Sequence, residues 1–521
     1  MKKGFVLLFL AGVFSVPAGD LDTIGVTVLR QVDPTLTGTG VRVAQPEASY
    51  NLGTNWEVNP GAVGQPVSLF TYTSADGSTN SFPNSLSSES GHADGVAGNF
   101  YGIPSGVATN IAHVDNYDAN YFYNSIVATN VINDPVVNQS FIFCNSDYSH
   151  LALSDEELVD SQYDDYAAQY NTLFVSGAGN GGPTNQAQVY PAATSYNGLG
   201  VAAFGGSSCI GPTLDNGRCK PDITAPAGVT SFSTPLVAGA AAILLQAARR
   251  GDGGTDTNAA SDLHTLKALL LNGAIKPNGW TNGSASPLDA RYGAGVANVF
   301  NSWSQLKGGQ QACITSTTNS SGAAHPPGVN TNNEPTLSGW DYAVISTGTT
   351  NDTANHYYFK LPTGNSFALT ATLVWNRQYG ETDINHLGLF LYNAANSNLV
   401  TCSTSKVDNV EHIYLPALPA GRYDLQVLKY GSVAQVSQSE TYALAFDMFT
   451  LPLSVRLTNL NTIISWPVAP TGFQLQSATS LAPPVSWASV TNAVAIVNNQ
   501  NVVTLPLGGG CQFFRLDRPA F

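Results

Sequence analysis

Hydrophobic and polar positions follow two different patterns along the chain. In the first 300 residues, short β-rich runs such as GVRVAQPEA (40–48) and TLFVSGAGN (172–180) alternate with longer apolar stretches such as TSFSTPLVAGAAAILLQAARR (230–250). The short runs predict strands and the long stretches predict helices. Their alternation predicts an α/β fold with a mostly parallel sheet and helices on both faces, in which chemistry lies at the carboxyl ends of the strands.

The pattern changes near residue 307. Residues 307–335 are rich in Gly, Ser, Thr, Asn and Pro, which is typical of a linker. Residues 336–450 contain strand candidates with period-2 alternation separated by turn residues, and they predict an all-β sandwich. Residues 451–521 are again β-rich and predict a small separate C-terminal β module.

The N-terminal segment has the features of an export signal. Two lysines precede an apolar run of roughly a dozen residues, and Val16-Pro17-Ala18 offers small residues for cleavage. A membrane anchor is the alternative, but the run is shorter than the roughly 20 residues needed to span a bilayer. We therefore predict a signal peptide over residues 1–18 and a protein that is secreted, periplasmic or on the surface of a bacterium.

Charge and cysteine content narrow the possible partners. The net charge of -15 and the lack of a basic cluster argue against nucleic acid or an anionic membrane as partners. No later segment is predicted to span a membrane, and we expect a monomer. Six cysteines fit an oxidising compartment and predict disulfides, with Cys209 and Cys219 placed to close a short loop.

Three residues with complementary chemistry lie at the ends of predicted elements. Glu47 follows a buried-type strand, His92 begins a small-residue helix and Ser231 precedes the long apolar helix. Together a carboxylate, an imidazole and a hydroxyl can perform acyl transfer, because the imidazole accepts the hydroxyl proton and the carboxylate fixes the imidazole tautomer. Asn180, in a small-residue loop, could donate to an oxyanion. Taken singly, each residue could equally be a helix cap, a turn or a surface residue.

The local sequences around these residues resemble the subtilisin-like serine peptidases over roughly residues 20–306. The motifs that carry the resemblance are VTSFSTPLVAG (229–239), HADGVAG (92–98), AGN (178–180), GPTLDNGRCKPDITAP (211–226) and RYGAGVANV (291–299). The resemblance implies a subtilisin-like peptidase domain over residues 19–306 that acts on protein or peptide substrates. It assigns Ser231 as nucleophile, His92 as general base and acid, and Asn180 as oxyanion donor with the Ser231 amide.

The resemblance also assigns the substrate-binding positions. Ser140 would belong to the strand that pairs with the substrate backbone. Gly177, Ala178 and Gly179 would line the primary specificity pocket.

Two departures from the family pattern bear on activity. Glu47 stands where the family has Asp, so the triad would be Ser-His-Glu with a carboxylate one methylene longer. Val229 replaces a glycine before the Thr-Ser pair, where a β-branched residue would resist a positive φ. These departures motivate the alternative that the chain is a catalytically inactive binding or adhesion protein with the same fold.

Residues 336–450 are similar to the pre-peptidase C-terminal type of β-sandwich, through the run ETDINHLGLFLYNAANSNLVTCSTSKVDNVEHIYLPALPAGRYDLQVLKYG (381–431). Such a domain would bind a surface or a substrate, or shield the peptidase. No cofactor is required by this chemistry, and we predict no catalytic metal. Asp383, Asp408 and Glu411 could hold a structural calcium ion, with an acidic surface as the alternative.

Overall fold

The computed structural model describes most of the chain. The described residues are 18–49, 55–80, 82, 88–181, 188–318, 335–363, 367–431, 435–450, 452–458, 460–468, 470–482, 484–497, 500–508 and 511–517. All but the last residue of the predicted signal peptide therefore lies outside the described residues.

The first domain is built on an eight-stranded sheet. Its strands and a flanking two-stranded ribbon are β1 (Arg42–Glu47), β2 (Asn55–Glu57), β3 (Phe70–Thr73), β4 (Thr79–Asn80), β5 (Ser88–Glu89), β6 (His113–Asp118), β7 (Val136–Gln139), β8 (Leu173–Gly177), β9 (Leu199–Phe204) and β10 (Ile223–Pro226). The order in the large sheet is β10-β9-β8-β7-β1-β6-β3-β4, while β2 pairs with β5. Neighbours in the large sheet are parallel except for the pair of β3 and β4. The predicted mostly parallel sheet is thus confirmed.

Helices pack against this sheet. They are α1 (Ala18–Thr23), α2 (Val26–Val32), α3 (Gly91–Phe100), α4 (Ala119–Tyr121), α5 (Leu153–Tyr170), α6 (Thr230–Arg250), α7 (Thr257–Ala260), α8 (Leu263–Asn272) and α9 (Val299–Lys307), with a 3-10 turn at Val67–Leu69 and a π-helical turn at Phe122–Val127. Helix α6 lies against β7, β8 and β9. Within the described part of the chain, α6 is the one helix long and apolar enough to cross a membrane, and it is buried inside the domain.

The second domain is the predicted antiparallel β-sandwich. Its strands are β11 (Ile314–Thr317), β12 (Ser338–Ser346), β13 (Thr353–Leu361), β14 (Phe367–Trp375), β15 (Leu387–Asn393), β16 (Asn398–Ser403), β17 (Val410–Leu418), β18 (Gly421–Lys429) and β19 (Ser439–Phe449). One sheet has the order β11-β13-β18-β15-β16 and the other the order β12-β19-β14-β17. Their inner faces share one apolar core, which includes Trp375, Leu389, Leu425 and Phe446.

The segment predicted as a linker over residues 307–335 is partly ordered structure. Lys307 is the last residue of α9, and Ile314–Thr317 forms the strand β11, which pairs with β13. Residues of this short run are alternately half-buried and exposed, and the run forms a strand because it pairs with the edge of β13. Residues 319–334 of the predicted linker lie outside the described residues.

The β-sandwich packs directly on the first domain. The side chain of Asn272, at the end of α8, accepts hydrogen bonds from the hydroxyls of Thr370 and Thr372, both at 2.9 Å. Asn197 exchanges two hydrogen bonds with the backbone of Arg377, at 2.8 and 3.0 Å. The groups in these bonds are buried, so the contact between the two domains is a packed interface.

The C-terminal residues form two small antiparallel sheets. Their strands are β20 (Ser454–Leu457), β21 (Asn461–Pro467), β22 (Gln474–Ala478), β23 (Ala488–Ser489), β24 (Ala495–Val497), β25 (Gln500–Pro506) and β26 (Phe513–Asp517). The sheet orders are β20-β21-β25-β24 and β23-β22-β26. A core of Ile464, Trp466, Leu475 and Val503 joins the two sheets.

The expected disulfides are not present, because all six cysteines carry free thiols. The Cys209 sulfur is buried and accepts a hydrogen bond from the Gly181 amide at 3.2 Å. Cys219 instead faces the β-sandwich, where its amide donates to Asp408 at 2.7 Å. Burial raises the pKa of the Cys209 thiol to about 11 and that of Cys219 to about 12. The two thiols are held in different surroundings, and the predicted loop closure was wrong.

Candidate active site

Glu47 and His92 form a buried hydrogen-bonded pair. Glu47 is the last residue of β1, and His92 is the second residue of α3, whose N-cap is Ser90. The His92 Nδ1 atom lies 2.8 Å from Glu47 Oε2, and the two residues are 7% and 1% exposed. With its Nδ1 proton directed at the carboxylate, the neutral imidazole has Nε2 as its basic nitrogen. The longer Glu side chain therefore makes the contact that the sequence pattern predicted for this position.

A third residue, Gln45, fixes the carboxylate of Glu47. Gln45 lies two positions earlier on β1, and its Nε2 atom donates to Glu47 Oε1 at 2.9 Å and to the Ala93 carbonyl at 3.1 Å. The hydroxyl of Tyr101 donates to Gln45 Oε1 at 2.6 Å, which sets the orientation of the amide. Both Gln45 and Tyr101 are fully buried. The sequence analysis did not predict the hydrogen bond between Gln45 and Glu47. It could have been predicted, because residues two positions apart on a strand lie on the same face of the sheet.

Ser231 lies at the start of α6, next to the helix that carries His92. It is the second residue of α6 and is buried. The ring of Phe232 lies 5.9 Å from the His92 ring between centroids, and the Asn99 side chain of α3 donates to the Phe232 carbonyl at 3.1 Å. These contacts hold α3 against the first turn of α6. The N-terminus of α6 carries a partial positive charge, which favours negative charge developing near Ser231.

Pro235 and Ser140 together determine the backbone of the first turn of α6. Pro235 has no N–H, so the carbonyl of Ser231 lacks its helical donor. The Ser140 hydroxyl replaces that donor at 2.9 Å, and Asn138 in turn donates to the Ser140 oxygen at 3.0 Å. The side chain of Ser140 thus supports the nucleophile helix. Its predicted pairing with substrate concerns the backbone and stays a prediction.

Val229, which replaces a family glycine, fits its position without strain. It is the N-cap of α6 with φ -147° and ψ 158°, an extended conformation that β-branched residues adopt readily. The expected conflict with a positive φ was therefore wrong. The residue before Ser231 is Thr230, and its N–H and its hydroxyl both donate hydrogen bonds to a neighbouring loop.

That loop holds Asn180 against Thr230, the residue before Ser231. The Asn180 Oδ1 atom accepts from the Thr230 N–H at 2.8 Å and from the Thr230 hydroxyl at 2.7 Å. Its backbone carbonyl accepts from Ser207 at 2.8 Å. Because the oxygen of the amide is held by two donors, the Nδ2 group is the end that can donate toward a reacting carbonyl.

The three small residues before Asn180 are Gly177, which ends β8, and the two residues that follow it. The Ala178 carbonyl accepts from the Tyr190 amide at 3.2 Å, and the Gly179 carbonyl accepts from Cys209 at 2.8 Å. Gly179 has φ +100°, and a Cβ there would lie 2.7 Å from the Tyr190 ring. A Cβ on Gly177 would lie 3.2 Å from the Thr234 hydroxyl. Larger side chains would therefore meet these neighbours, while the role of the segment in a specificity pocket stays a prediction.

Half-buried Asp94, on α3, adds a further charge near the pair of Glu47 and His92. Its Oδ1 atom accepts from the Asn59 amide at 2.7 Å. Burial, and to a smaller extent the charges of Glu89 and Glu47, raise the pKa of Asp94 to about 6. The site therefore carries two acidic groups, one paired with His92 and one that gains its charge near neutral pH.

The predicted calcium residues have other contacts. Asp408 accepts from Cys219 and, through Oδ2, from the Ser405 hydroxyl at 2.7 Å, while Glu411 accepts from Ser403 at 2.5 Å. Asp383 accepts from the Ile384 amide at 2.8 Å. Across the described ranges, no group of three or more His, Cys, Asp or Glu side chains is arranged to hold a metal ion. Calcium binding stays a prediction.

A buried Ser, a His paired with a carboxylate and an Asn amide lie at the ends of elements along the carboxyl edge of the parallel sheet. Comparison with known families gives the particular class. Residues 37–295 match the model of the Subtilase family. Residues 37–295 are therefore similar to the subtilases, a family of serine peptidases. The resemblance to pre-peptidase sandwiches lies outside the matched range.

Two of the solved structures that the chain resembles can be named. Tripeptidyl peptidase 2 is 12% identical, with a TM-score of 0.32, over 78% of this chain and 44% of that one. MycP1 from the ESX-1 type VII secretion system is 16% identical, with a TM-score of 0.33, over 58% of this chain and 88% of that one. The chain thus spans under half the length of tripeptidyl peptidase 2. No curated protein matches the chain.

Proposed function

We propose that this protein is an exported serine endopeptidase that hydrolyses peptide bonds in proteins or peptides. Ser231 is the nucleophile, His92 the general base and then acid, Glu47 the carboxylate of the triad, and Asn180 the oxyanion donor. The observation that carries the proposal is the buried hydrogen bond between His92 Nδ1 and Glu47 Oε2, beside the helix that begins with Thr230 and Ser231.

In the first step, the Ser231 oxygen attacks the carbonyl carbon of the scissile peptide bond, and His92 Nε2 takes the hydroxyl proton. Glu47 stabilises the imidazolium that forms, because its negatively charged carboxylate already accepts the hydrogen bond from His92 Nδ1. The oxyanion of the tetrahedral intermediate accepts from Asn180 Nδ2 and from the Ser231 amide. The latter is among the first four N–H groups of α6, which have no partner within the helix.

In the second step, the imidazolium gives its proton to the leaving amine, and the acyl group stays on Ser231. Water then attacks the acyl carbon, with His92 again as base, and restores the free enzyme. Substrate lies along the segment after β7 that contains Ser140, with its side chain against Gly177, Ala178 and Gly179. An extended substrate that runs past the site on both sides is cleaved internally, which makes the reaction that of an endopeptidase.

Active-site labelling followed by library cleavage tests the proposal. The full chain is treated with a fluorophosphonate probe, and the modified residue is mapped by mass spectrometry. We expect one adduct on Ser231, and cleavage inside peptides whose two ends are blocked. The matched control is Ser231→Ala, which should lose both. A folded protein that carries no adduct on Ser231 and cleaves nothing would favour the alternative of an inactive binding protein.

A further inference from the structure

A second Ser-His-Asp arrangement lies in the β-sandwich, far along the chain from Ser231. The Ser316 hydroxyl oxygen is 2.6 Å from His356 Nε2, and His356 Nδ1 is 2.8 Å from Asp424 Oδ2. The three residues come from the adjacent strands β11, β13 and β18. The two nitrogens of one imidazole thus join a hydroxyl and a carboxylate, which is the connection a nucleophilic serine needs.

The strand register explains why these residues meet. His356 is opposite Ile314 on β11 and opposite Gln426 on β18, while Asp424 is two positions from Gln426. Ser316 is two positions from Ile314, so Ser316, His356 and Asp424 lie on one face of the sheet as diagonal neighbours. That face is opposite the core of the sandwich, toward which Tyr357 and Leu425 point.

The carboxylate end of this arrangement is buried and braced. Asp424 is fully buried and also accepts from Gln426 Nε2 at 2.7 Å. His356 is 3% exposed, and its ring stacks on Tyr358 with an interplanar angle of 2°. These contacts fix the ring, direct the Nδ1 proton to Asp424 and make Nε2 the acceptor for the Ser316 proton.

The solvent exposure of the three residues increases from Asp424 through His356 to Ser316. Asp424 is fully buried and His356 nearly so, whereas Ser316 is half-buried on β11, which is the last strand of its sheet in the described part of the chain. A hydroxyl at the accessible end of a buried acid-base pair is where an incoming ester can react.

We propose that Ser316, His356 and Asp424 form a second nucleophilic site that reacts with small activated esters. The Ser316 oxygen attacks the ester carbonyl carbon, and His356 Nε2 takes its proton. The C–O bond to the alcohol breaks, and the alcohol leaves with that proton. Water, deprotonated by His356, then hydrolyses the acyl-serine. The site is independent of Ser231 and adds an esterase activity to the proposed peptidase.

The test removes the first nucleophile so that the second can be seen alone. The folded full chain with Ser231→Ala is treated with a fluorophosphonate probe, mapped by mass spectrometry, and assayed for p-nitrophenyl acetate hydrolysis. We expect an adduct on Ser316 and hydrolysis about 100-fold faster than in the double variant Ser231→Ala with Ser316→Ala, the usual size of a general acid-base contribution.

The neighbouring Thr317→Ala change, made in the Ser231→Ala background, is the matched control and should leave both readouts unchanged. Ser316→Ala removes one half-buried hydroxyl, and a thermal melt checks that the double variant folds. Folded Ser231→Ala protein without an adduct on Ser316, or equal hydrolysis in the single and double variants, would overturn the proposal. Either result leaves Ser231 labelling in the unmodified chain, and so the proposed peptidase function, untouched.

Discussion

Gln45 and Glu47 lie two residues apart on the same face of β1, and the amide of Gln45 donates to Glu47 Oε1 at 2.9 Å. The other carboxylate oxygen, Oε2, accepts from His92 at 2.8 Å. Each oxygen of the buried Glu47 carboxylate therefore has its own donor, and the carboxylate cannot rotate away from His92 without losing one. In the proposed triad, Gln45 is a positioning residue that holds the Glu47 carboxylate toward His92.

Replacing Gln45 should lower activity through the orientation of Glu47. In Gln45→Leu the Oε1 atom loses its donor and the Tyr101 hydroxyl loses its acceptor, each a buried polar group left unpaired. We expect kcat/KM for a peptide substrate to fall about tenfold to 100-fold. The fall should be in kcat with KM unchanged, since Gln45 does not contact substrate.

Tyr101→Phe is the graded control for this prediction, because it removes only the group that orients the Gln45 amide. It should lower kcat in the same direction and by less. Equal kcat in the Gln45→Leu variant and the unmodified enzyme would show that Glu47 needs no brace.

Changes at Glu47 itself should separate charge from length. Glu47→Gln keeps the shape but removes the charge and can hold the wrong His92 tautomer, and kcat should fall by about 10⁴-fold. Glu47→Asp keeps the charge but withdraws the carboxylate by about 1.5 Å, and its kcat should lie between those of Glu47→Gln and the unmodified enzyme. Steady-state kinetics with one peptide substrate measures both. An unchanged kcat in Glu47→Gln would remove Glu47 from the triad.

The parts of this site that the sequence predicted are those with local signals. Ser231, His92 and Asn180 each lie within a run of small residues at the end of an element, and the order of these runs carried the resemblance. The brace by Gln45 and Tyr101 joins residues 56 positions apart, so only the pairing of β1 with its neighbours and with α3 brings them together. The fit of Val229 depended on a backbone angle that a residue type alone does not determine.

Asn180 should matter to the transition state and little to substrate binding. Asn180→Ala removes the Nδ2 donor, and kcat should fall about 100-fold to 1000-fold with KM nearly unchanged. Thr230→Val is the matched control, because it removes one of the two donors to Asn180 Oδ1 and keeps the backbone one. It should lower kcat by less than Asn180→Ala. A large rise of KM in Asn180→Ala would assign the residue to substrate binding instead.

The stability of the first domain should depend on Asp134, at the opposite edge of the sheet. Asp134 is 1% exposed and lies 3.6 Å from Arg42, which also pairs with Asp115 at 2.5 Å. Burial and the charge of Asp115 raise the pKa of Asp134 from 3.8 to about 8. The folded chain therefore holds this proton more tightly than the unfolded chain, and the free energy of unfolding should fall as pH rises from about 4 to 8.

Asp134→Asn should remove this fall, so the variant gains stability over the unmodified protein more at pH 8 than at pH 5. Denaturant unfolding at both pH values measures the difference. Asp147, which is exposed and whose hydrogen bonds to Ser149 lower its pKa, gives the control Asp147→Asn with no change between these pH values. Equal effects of Asp134→Asn at pH 5 and pH 8 would contradict the account.

The remaining errors of sequence reasoning concern long-range packing. The six cysteines predicted disulfides by composition, but the Cys219 amide is bonded to Asp408 of the second domain, 189 residues away. The strand β11 was read as linker because its four residues are too short to give a periodic signal, and it becomes a strand only beside β13. Both outcomes depend on contacts between segments that lie far apart in the chain, which a local pattern does not contain.

The most direct test of the proposed peptidase is a crystal structure of the full chain after reaction with diisopropyl fluorophosphate. We predict a covalent bond between Ser231 Oγ and phosphorus, and a phosphoryl oxygen within about 3 Å of Asn180 Nδ2. The bond between His92 and Glu47 should be retained in the same crystal. Unmodified Ser231 in the folded, treated protein, or a phosphoryl oxygen directed away from Asn180, would contradict the account.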